Sequence, residues 1–294
     1  MFYILYAFIW IVTWIPLRLL YLISDLFFPV LYHLVRYRRN VVRTNLEKSF
    51  PDKSEKELRT IERRFYRFFC DLFVETMYEM HVSKKEIHRR MTFGNLEAIL
   101  EQNARNKSVM IMTAHYGNWE WTLAFSLFSP EEYPSNPIYK KLRNERFDKL
   151  IHKLRARYGA KLIEKNDLLR TMFRLQKDKQ VGNFWMISDQ TPNARNIHYW
   201  TPFLHQDTPT LTGTEQLARK FDYPVFYADI NRVKRGYYHC EFIPIAMEPT
   251  KTAEFEITDR YMTLLQQSIE AHPEFWLWSH KRWKYQRNNE VKKE

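Results

Sequence analysis

The amino-terminal run MFYILYAFIWIVTWI is apolar or aromatic throughout except for Thr13, and it constrains the chain more than any other feature. After Pro16 and Arg18 the apolar character resumes over residues 19–35, interrupted mainly by Asp25, His33 and a few small polar groups. A membrane-spanning helix needs about 20 predominantly apolar residues. The first run is slightly short and reaches that length if Arg18 snorkels its charge to the interface. The second suits a re-entrant or interfacial helix. A secretory signal peptide carries a basic segment ahead of its apolar stretch and a small-residue cleavage site behind it, and neither is present. Instead Arg36, Arg38, Arg39 and Arg43 follow, and by the positive-inside rule such arginines stay in the cytoplasm. An uncleaved spanning anchor and a monotopic amphipathic hairpin both remain open. Either one puts the protein on a membrane.

Charge and aromatic content agree with that placement. The 294 residues carry a formal charge of +12, a surplus that suits nucleic acid or the anionic face of a bilayer. Aromatic residues make up 16%, many beside Lys or Arg, which fits the headgroup zone or stacking on single-stranded bases. The apolar amino terminus decides for an anionic membrane, and no nucleic-acid partner is expected. Cys70 and Cys240 stand far apart in apolar or aromatic surroundings. They read as buried reduced thiols in a reducing compartment, not as a disulfide framework or zinc site.

Residues 1–45 read as the anchor with its basic juxtamembrane segment, 46–287 as one domain, and 288–294 as a polar tail. Ser54 and Glu57 form a capping box ahead of a helix whose Leu58, Ile61, Phe65, Phe68 and Leu72 recur at helical spacing. Strand-like runs then alternate with helical ones. Strands are expected over 109–113, 137–139, 161–163, 181–187, 225–230 and 237–243, the last two joined by a hairpin at Lys234-Arg235-Gly236. Helices are expected over 144–157, 168–175 and 212–221, the last capped by Thr210 or Thr212. The pattern is α/β, a mixed central sheet flanked by helices. In such sheets chemistry gathers beyond the carboxyl ends of strands. Near the carboxyl end, Trp276, Trp278, Trp283 and Tyr285 interleave with Lys281, Arg282, Lys284 and Arg287, which reads as a strip at headgroup level.

One segment joins a titratable pair to such a location: His115-Tyr116-Gly117-Asn118-Trp119-Glu120, directly after the strand over 109–113. Gly117 permits close backbone approach or an unusual dihedral. On a regular helix an i, i+5 pair points about 140° apart, but a turn across Gly117 and Asn118 would bring the Glu120 carboxylate to the ring. A carboxylate on one imidazole nitrogen fixes the tautomer and leaves the other nitrogen as a base. The spacing does not match the H-E-x-x-H zinc pattern, and no G-x-S-x-G elbow, P-loop or dinucleotide fingerprint occurs.

The hydrophobic amino terminus, the run YRRNVVRTNL from Tyr37 to Leu46 and the H-Y-G-N-W-E segment together resemble the lipid A late acyltransferases. These are the lauroyl/myristoyl acyltransferases of bacterial inner membranes, with a signature of His, four residues, then Asp or Glu. The likeness continues through Tyr139, Leu142-Arg143-Asn144, WMISDQ (185–190), TLTG (210–213) and PEFWLWSHKRW (273–283). It thus runs in order along nearly the whole chain. It implies a glycerolipid-acyltransferase-like fold at the cytoplasmic face of the inner membrane. It also implies direct transfer from an acyl carrier protein or CoA thioester to a hydroxyl of lipid A or its precursor. His115 would be the general base, oriented by Glu120. Backbone N–H groups near Gly117 and Asn118 would receive the oxyanion. The family's arginine maps onto Arg155, with Arg157 the alternative, and its aspartate onto Asp189, followed by Gln190. Arg143 is a candidate phosphate clamp. No metal and no cofactor beyond the thioester co-substrate are implied. An aminolipid or glycolipid acceptor, or a non-catalytic lipid-binding protein, are the alternatives.

Overall fold

The computed structural model describes residues 10, 12–142 and 144–287. Most of the first apolar run, Arg143 and the tail over 288–294 lie outside the described residues. Helix α1 (Leu17–Pro29) follows Pro16. Proline lacks an N–H and disrupts a regular helix, and beyond Pro29 the backbone continues as a wider π-helical stretch, Val30–Val35. Helix α2 (Arg39–Ser49) leads to α3 (Glu55–Tyr78), where the Ser54–Glu57 capping box is formed as expected. Leu58, Ile61, Phe65, Phe68 and Leu72 are all buried.

Helix α1 lies along α3. Leu17, Leu20, Tyr21 and Ser24, spaced i, i+3, i+4 and i+7, face inward. Burying each leucine contributes about 1.5–3 kcal/mol. Ser24 Oγ donates to Asp71 on α3 (2.7 Å). The opposite side is open and apolar apart from Arg18 and Asp25: Leu26 is 74% exposed, and Leu34 in the π-helical stretch 77%. The stretch Leu17–Val35 is long and apolar enough to cross a membrane.

After α4 (Lys84–Arg90), strand β1 (Met91–Gly94) and α5 (Leu96–Ala104) precede the central strand β2 (Val109–Thr113). A 3-10 segment, Glu120–Leu127, then leads to β3 (Ser135–Tyr139), α6 (Glu145–Arg155), β4 (Ile163–Glu164), α7 (Leu168–Lys177) and β5 (Asn183–Ile187). The hairpin β6 (Trp200–Phe203) and β7 (Gln206–Pro209) comes next. Helix α8 (Gly213–Phe221), β8 (Val225–Lys234), β9 (Tyr237–Ala246) and α9 (Glu256–Ala271) follow. The expected elements occur, with ends moved by a few residues. Helices α2, α4, α5 and α9 and strands β1, β6 and β7 lie outside those expectations; each of these strands has only four residues, too few to display an alternation.

Among the described residues the sheet is seven-stranded, ordered β1-β9-β8-β2-β5-β3-β4, and mixed. Strand β8 pairs antiparallel with β9 through the expected hairpin, where Gly236 takes a φ of +74°. Helices cover both faces, so β2 is buried along its whole length. Met110 and Met112 join the core beneath α9, while Val109 and Ile111 join the one that includes Leu17, Leu20 and Trp121. Cys70 and Cys240 are free and buried, as expected.

The aromatic-cationic segment near the carboxyl end differs from expectation. Trp276, Trp278 and Arg282 are among the most enclosed side chains of the fold. Arg282 donates to Pro209 O (2.8 Å), Trp278 Nε1 to Pro273 O and Trp283 Nε1 to Thr208 Oγ1. Each of these side chains has an interior acceptor, so Trp276, Trp278 and Arg282 form core, while Lys281, Lys284 and Arg287 stay exposed.

Candidate active site

Strands β2 and β5 are parallel neighbours in which Val109 faces Asn183 and Thr113 faces Ile187. The offset of 74 residues that relates those pairs also relates His115 to Asp189, each two residues past its strand end. Parallel pairing alone therefore brings the imidazole and carboxylate together at the carboxyl edge of the sheet. Asp189 holds the histidine at two points. Its Oδ1 lies 2.8 Å from His115 Nδ1, and its Oδ2 accepts the His115 backbone N–H at 3.0 Å. Trp276 Nε1 donates to the same Oδ2 (3.0 Å).

Burial raises the Asp189 carboxyl, but the His115 charge and these hydrogen bonds outweigh it and hold the group below its ordinary value. An ionised carboxylate only accepts hydrogen bonds, so Nδ1 of His115 carries the proton and Nε2 is the unprotonated, basic nitrogen. For the imidazole, burial pushes the pKa down. The charge and hydrogen bond of Asp189, helped by Glu120, overcome this and leave it raised. The ring is nearly enclosed (18% exposed). Trp119 meets it edge-on at 5.0 Å, and Gln190 Nε2 lies 3.4 and 3.3 Å from its two nitrogens.

Glu120 does not take the place assigned to it. Its carboxylate accepts two hydrogen bonds from Arg155, Nη2 to Oε1 at 2.7 Å and Nε to Oε2 at 3.1 Å, and one from Trp119 Nε1. The direct partner of the imidazole is Asp189, and Glu120 acts on the ring through its charge. Arg155, at the end of α6, is the arginine brought to the site. Arg157 turns away, donating to Glu79 O and lying against the Tyr158 ring. Removing the cation in Arg155→Ala leaves Glu120, 16% exposed, without its bidentate partner. The expected loss is about 1–3 kcal/mol in chemical denaturation, and Arg155→Met/Glu120→Gln should recover part of it.

The turn between His115 and Glu120 is fixed from several sides. Leu277 N–H donates to His115 O, and Gly117 N–H donates to Phe275 O (3.0 Å). The Gly117 amide is thus already engaged, which removes it from the expected oxyanion donors. Gly117 is required for its backbone instead. Its φ is +59°, and a Cβ would lie 2.7 Å from Ile230 Cγ2 and 2.8 Å from Ile230 O. Gly117→Ala should cost about 1–3 kcal/mol, read as a lowered melting temperature with the sheet intact. Asn118 is buried and faces inward: Nδ2 donates to Glu75 Oε2 (2.7 Å), while Oδ1 accepts from Trp121 N–H. Nothing in the sequence pattern points to Glu75. The part played by Trp276 is hidden when its segment is read as surface.

An apolar cleft of about 540 Å³ is lined in part by Trp119 and Gln190, the two side chains packed against the histidine. Leu72, Phe73 and Met77 of α3 form one wall and Phe147, Leu150 and Leu154 of α6 the other, with Trp119, Glu120, Gln190 and His280 at the polar end. Burial, with Arg282 and His115 nearby, lowers His280 to about 4, so it stays neutral. A larger hollow of about 740 Å³ lies at the amino ends of β3 and β5, and no residue of the His115 constellation lines it.

The chain matches the family model described as bacterial lipid A biosynthesis acyltransferase over residues 1–285. It is 25% identical over 287 residues to the lipid A biosynthesis lauroyltransferase of Escherichia coli (strain K12), covering 92% of this chain and 91% of that protein. The lipid A biosynthesis palmitoleoyltransferase of the same strain is 23% identical over 285 residues, covering 92% and 90%. Lipid A biosynthesis acyltransferase 2 of Shigella flexneri is 20% identical over 265 residues, covering 88% and 81%.

Proposed function

Since the chain belongs to the bacterial lipid A biosynthesis acyltransferase family, we propose that it moves a fatty acyl group from an acyl carrier protein or CoA thioester to a hydroxyl of lipid A or its precursor. The observation that carries this reading is an imidazole locked by Asp189, with Nε2 left unprotonated and with its neighbours Trp119 and Gln190 lining an apolar cleft. Nε2 of His115 takes the proton of the acceptor hydroxyl as its oxygen attacks the thioester carbonyl. The C–S bond then breaks and the departing thiolate recovers that proton from the imidazolium. Asp189 keeps the tautomer and stabilises the charge that forms on the ring. No Ser or Cys side chain is required as an acyl carrier, so the transfer is direct.

The cleft suits an acyl chain, because its walls are aliphatic and aromatic and its polar end is lined by Trp119 and Gln190, the neighbours of the base. Phe27 of α1 stacks against Phe73, whose side chain lines the cleft. The exposed apolar side of α1 therefore continues into that wall. This continuity supports α1 lying in the cytoplasmic leaflet of the inner membrane, with the cleft mouth at the lipid surface. Arg38 lines the cleft and also, with Arg36, Arg39 and Arg43, a second hollow whose cationic lining suits anionic headgroups.

Mass spectrometry of lipids from a strain lacking the gene tests the reading. One acyl chain should disappear from lipid A. An unchanged lipid A, with an aminolipid or glycolipid losing a chain, would move the activity to that acceptor. No altered lipid, together with no transfer by purified protein, would favour the non-catalytic alternative.

A further inference from the structure

Glu75, on α3, is fully enclosed, and its side chain receives three hydrogen bonds from three parts of the chain. Tyr21 of α1 donates to Oε1 at 2.6 Å. Tyr238 of β9 and Asn118 of the catalytic turn donate to Oε2 at 2.8 and 2.7 Å. The main-chain oxygen of Glu75 also accepts from Trp121 Nε1. Asn118 is three residues beyond His115, and its amide orientation is set by Trp121 N–H on Oδ1. One side of the turn is strapped by the backbone around Phe275 and Leu277. The other side is held by Glu75.

We infer that Glu75 is a positioning residue for the acyl transfer, and that Tyr21 makes the seated α1 helix part of the apparatus that aims His115. This rests on the reading of His115 as the transferring base. Neither side chain touches the reacting atoms; both act through Asn118. A helix whose outer face is apolar thereby gains a second task. When α1 is docked on α3, Glu75 has its full set of donors and the turn is held. When α1 lifts, Oε1 loses its Tyr21 donor inside the protein, and a buried carboxylate tolerates that loss poorly. Seating of the apolar helix is thus linked to the geometry of the base, so the enzyme is fully active only with that helix in place.

The partners can be exchanged without changing their shapes. In Glu75→Gln one acceptor oxygen becomes an amide nitrogen, so either the Asn118 amide meets a donor at the Oε2 position or, with the amide turned, Tyr21 loses its acceptor at the Oε1 position. Adding Asn118→Asp restores a donor and an acceptor. The amide introduced by Glu75→Gln would donate to the new carboxylate and to Tyr238 Oη, and its oxygen would still accept from Tyr21. This double exchange separates positioning from bulk stability.

The test uses the full chain in detergent micelles, with an acyl carrier protein thioester and a lipid A precursor as substrates. It also follows the Cε1–H signal of His115 by NMR, assigned by its loss in His115→Gln. Tyr21→Phe and Glu75→Gln should each lower kcat about 10- to 100-fold with KM within about twofold, and should broaden or split the His115 signal. The exchanged pair should recover most of both. Wild-type kcat and a wild-type signal in the single variants would overturn the inference. So would a loss that follows the folded fraction alone, with the exchanged pair no better than Glu75→Gln. If wild-type protein transfers nothing, the proposed function fails, and the NMR signal still decides whether Glu75 and Tyr21 position His115.

Discussion

Alanine in place of His115 is expected to lower turnover about a hundred- to ten-thousandfold, with KM for both substrates little changed. The effect should appear in kcat because, in the proposed transfer, Nε2 acts on the proton of the acceptor hydroxyl, not on the parts of the lipid that provide affinity. The fold should persist. The His115 side chain packs against Trp119 and Gln190, but its backbone is held independently by Asp189, through the His115 N–H, and by Leu277, through the carbonyl. Steady-state kinetics with the melting temperature measured alongside checks both parts. A variant that keeps near-normal turnover would remove the base from the mechanism.

The second large effect is expected at Asp189. Asp189→Asn keeps the shape but replaces one acceptor oxygen by a donor amide, while His115 Nδ1, His115 N–H and Trp276 Nε1 all still donate towards that position. Whichever way the amide turns, one of these groups meets another donor, and the imidazole is driven towards the tautomer with Nε2 protonated. A base in that tautomer cannot accept the hydroxyl proton. The loss should be about a thousandfold or more in kcat, as for loss of the aspartate in a Ser-His-Asp triad. Glu120→Ala acts by another route. It removes a nearby negative charge and leaves the Arg155 cation unbalanced beside the ring, and that cation lowers the imidazole pKa. The two carboxylates are therefore distinguishable. Loss of Asp189 should be insensitive to a compensating change at Arg155, whereas loss of Glu120 should be partly relieved by Arg155→Met, measured as a double-mutant cycle in kcat.

Much of this site can be read along the chain, and its misreading has a definite cause. The run ending at Thr113 marks a buried strand, and His115 beyond it marks the carboxyl edge where chemistry gathers. Glu120 attracts the orienting role because it is close in sequence. Asp189 takes that role because two parallel strands place residues 74 apart side by side, a relation that sequence spacing does not display. Resemblance points to Asp189 and Arg155 without saying which groups they touch. Asn118 looks like part of an oxyanion site, whereas its side chain points inward to Glu75. The segment with Trp276, Trp278 and Arg282 misleads for a related reason. Cations interleaved with rings usually mark a wet surface, but here carbonyls and Asp189 accept their hydrogen bonds inside the core. The hairpin at Gly236 is legible because turn chemistry is local, and so is the Ser54–Glu57 cap.

The central claim is that a histidine made more basic by Asp189 takes the proton of the acceptor. The most direct measurement is the pH dependence of kcat/KM for wild type and Asp189→Asn. A general base must be unprotonated, so activity rises with pH through the pKa of free-enzyme His115. In wild type that limb should lie above the ordinary histidine value of about 6.5, because the charge and hydrogen bond of Asp189 outweigh burial. In Asp189→Asn the upward influence is gone while burial remains, so the limb should move to lower pH as the plateau falls. A limb that keeps its position in Asp189→Asn, or is absent from wild type, would contradict the assignment.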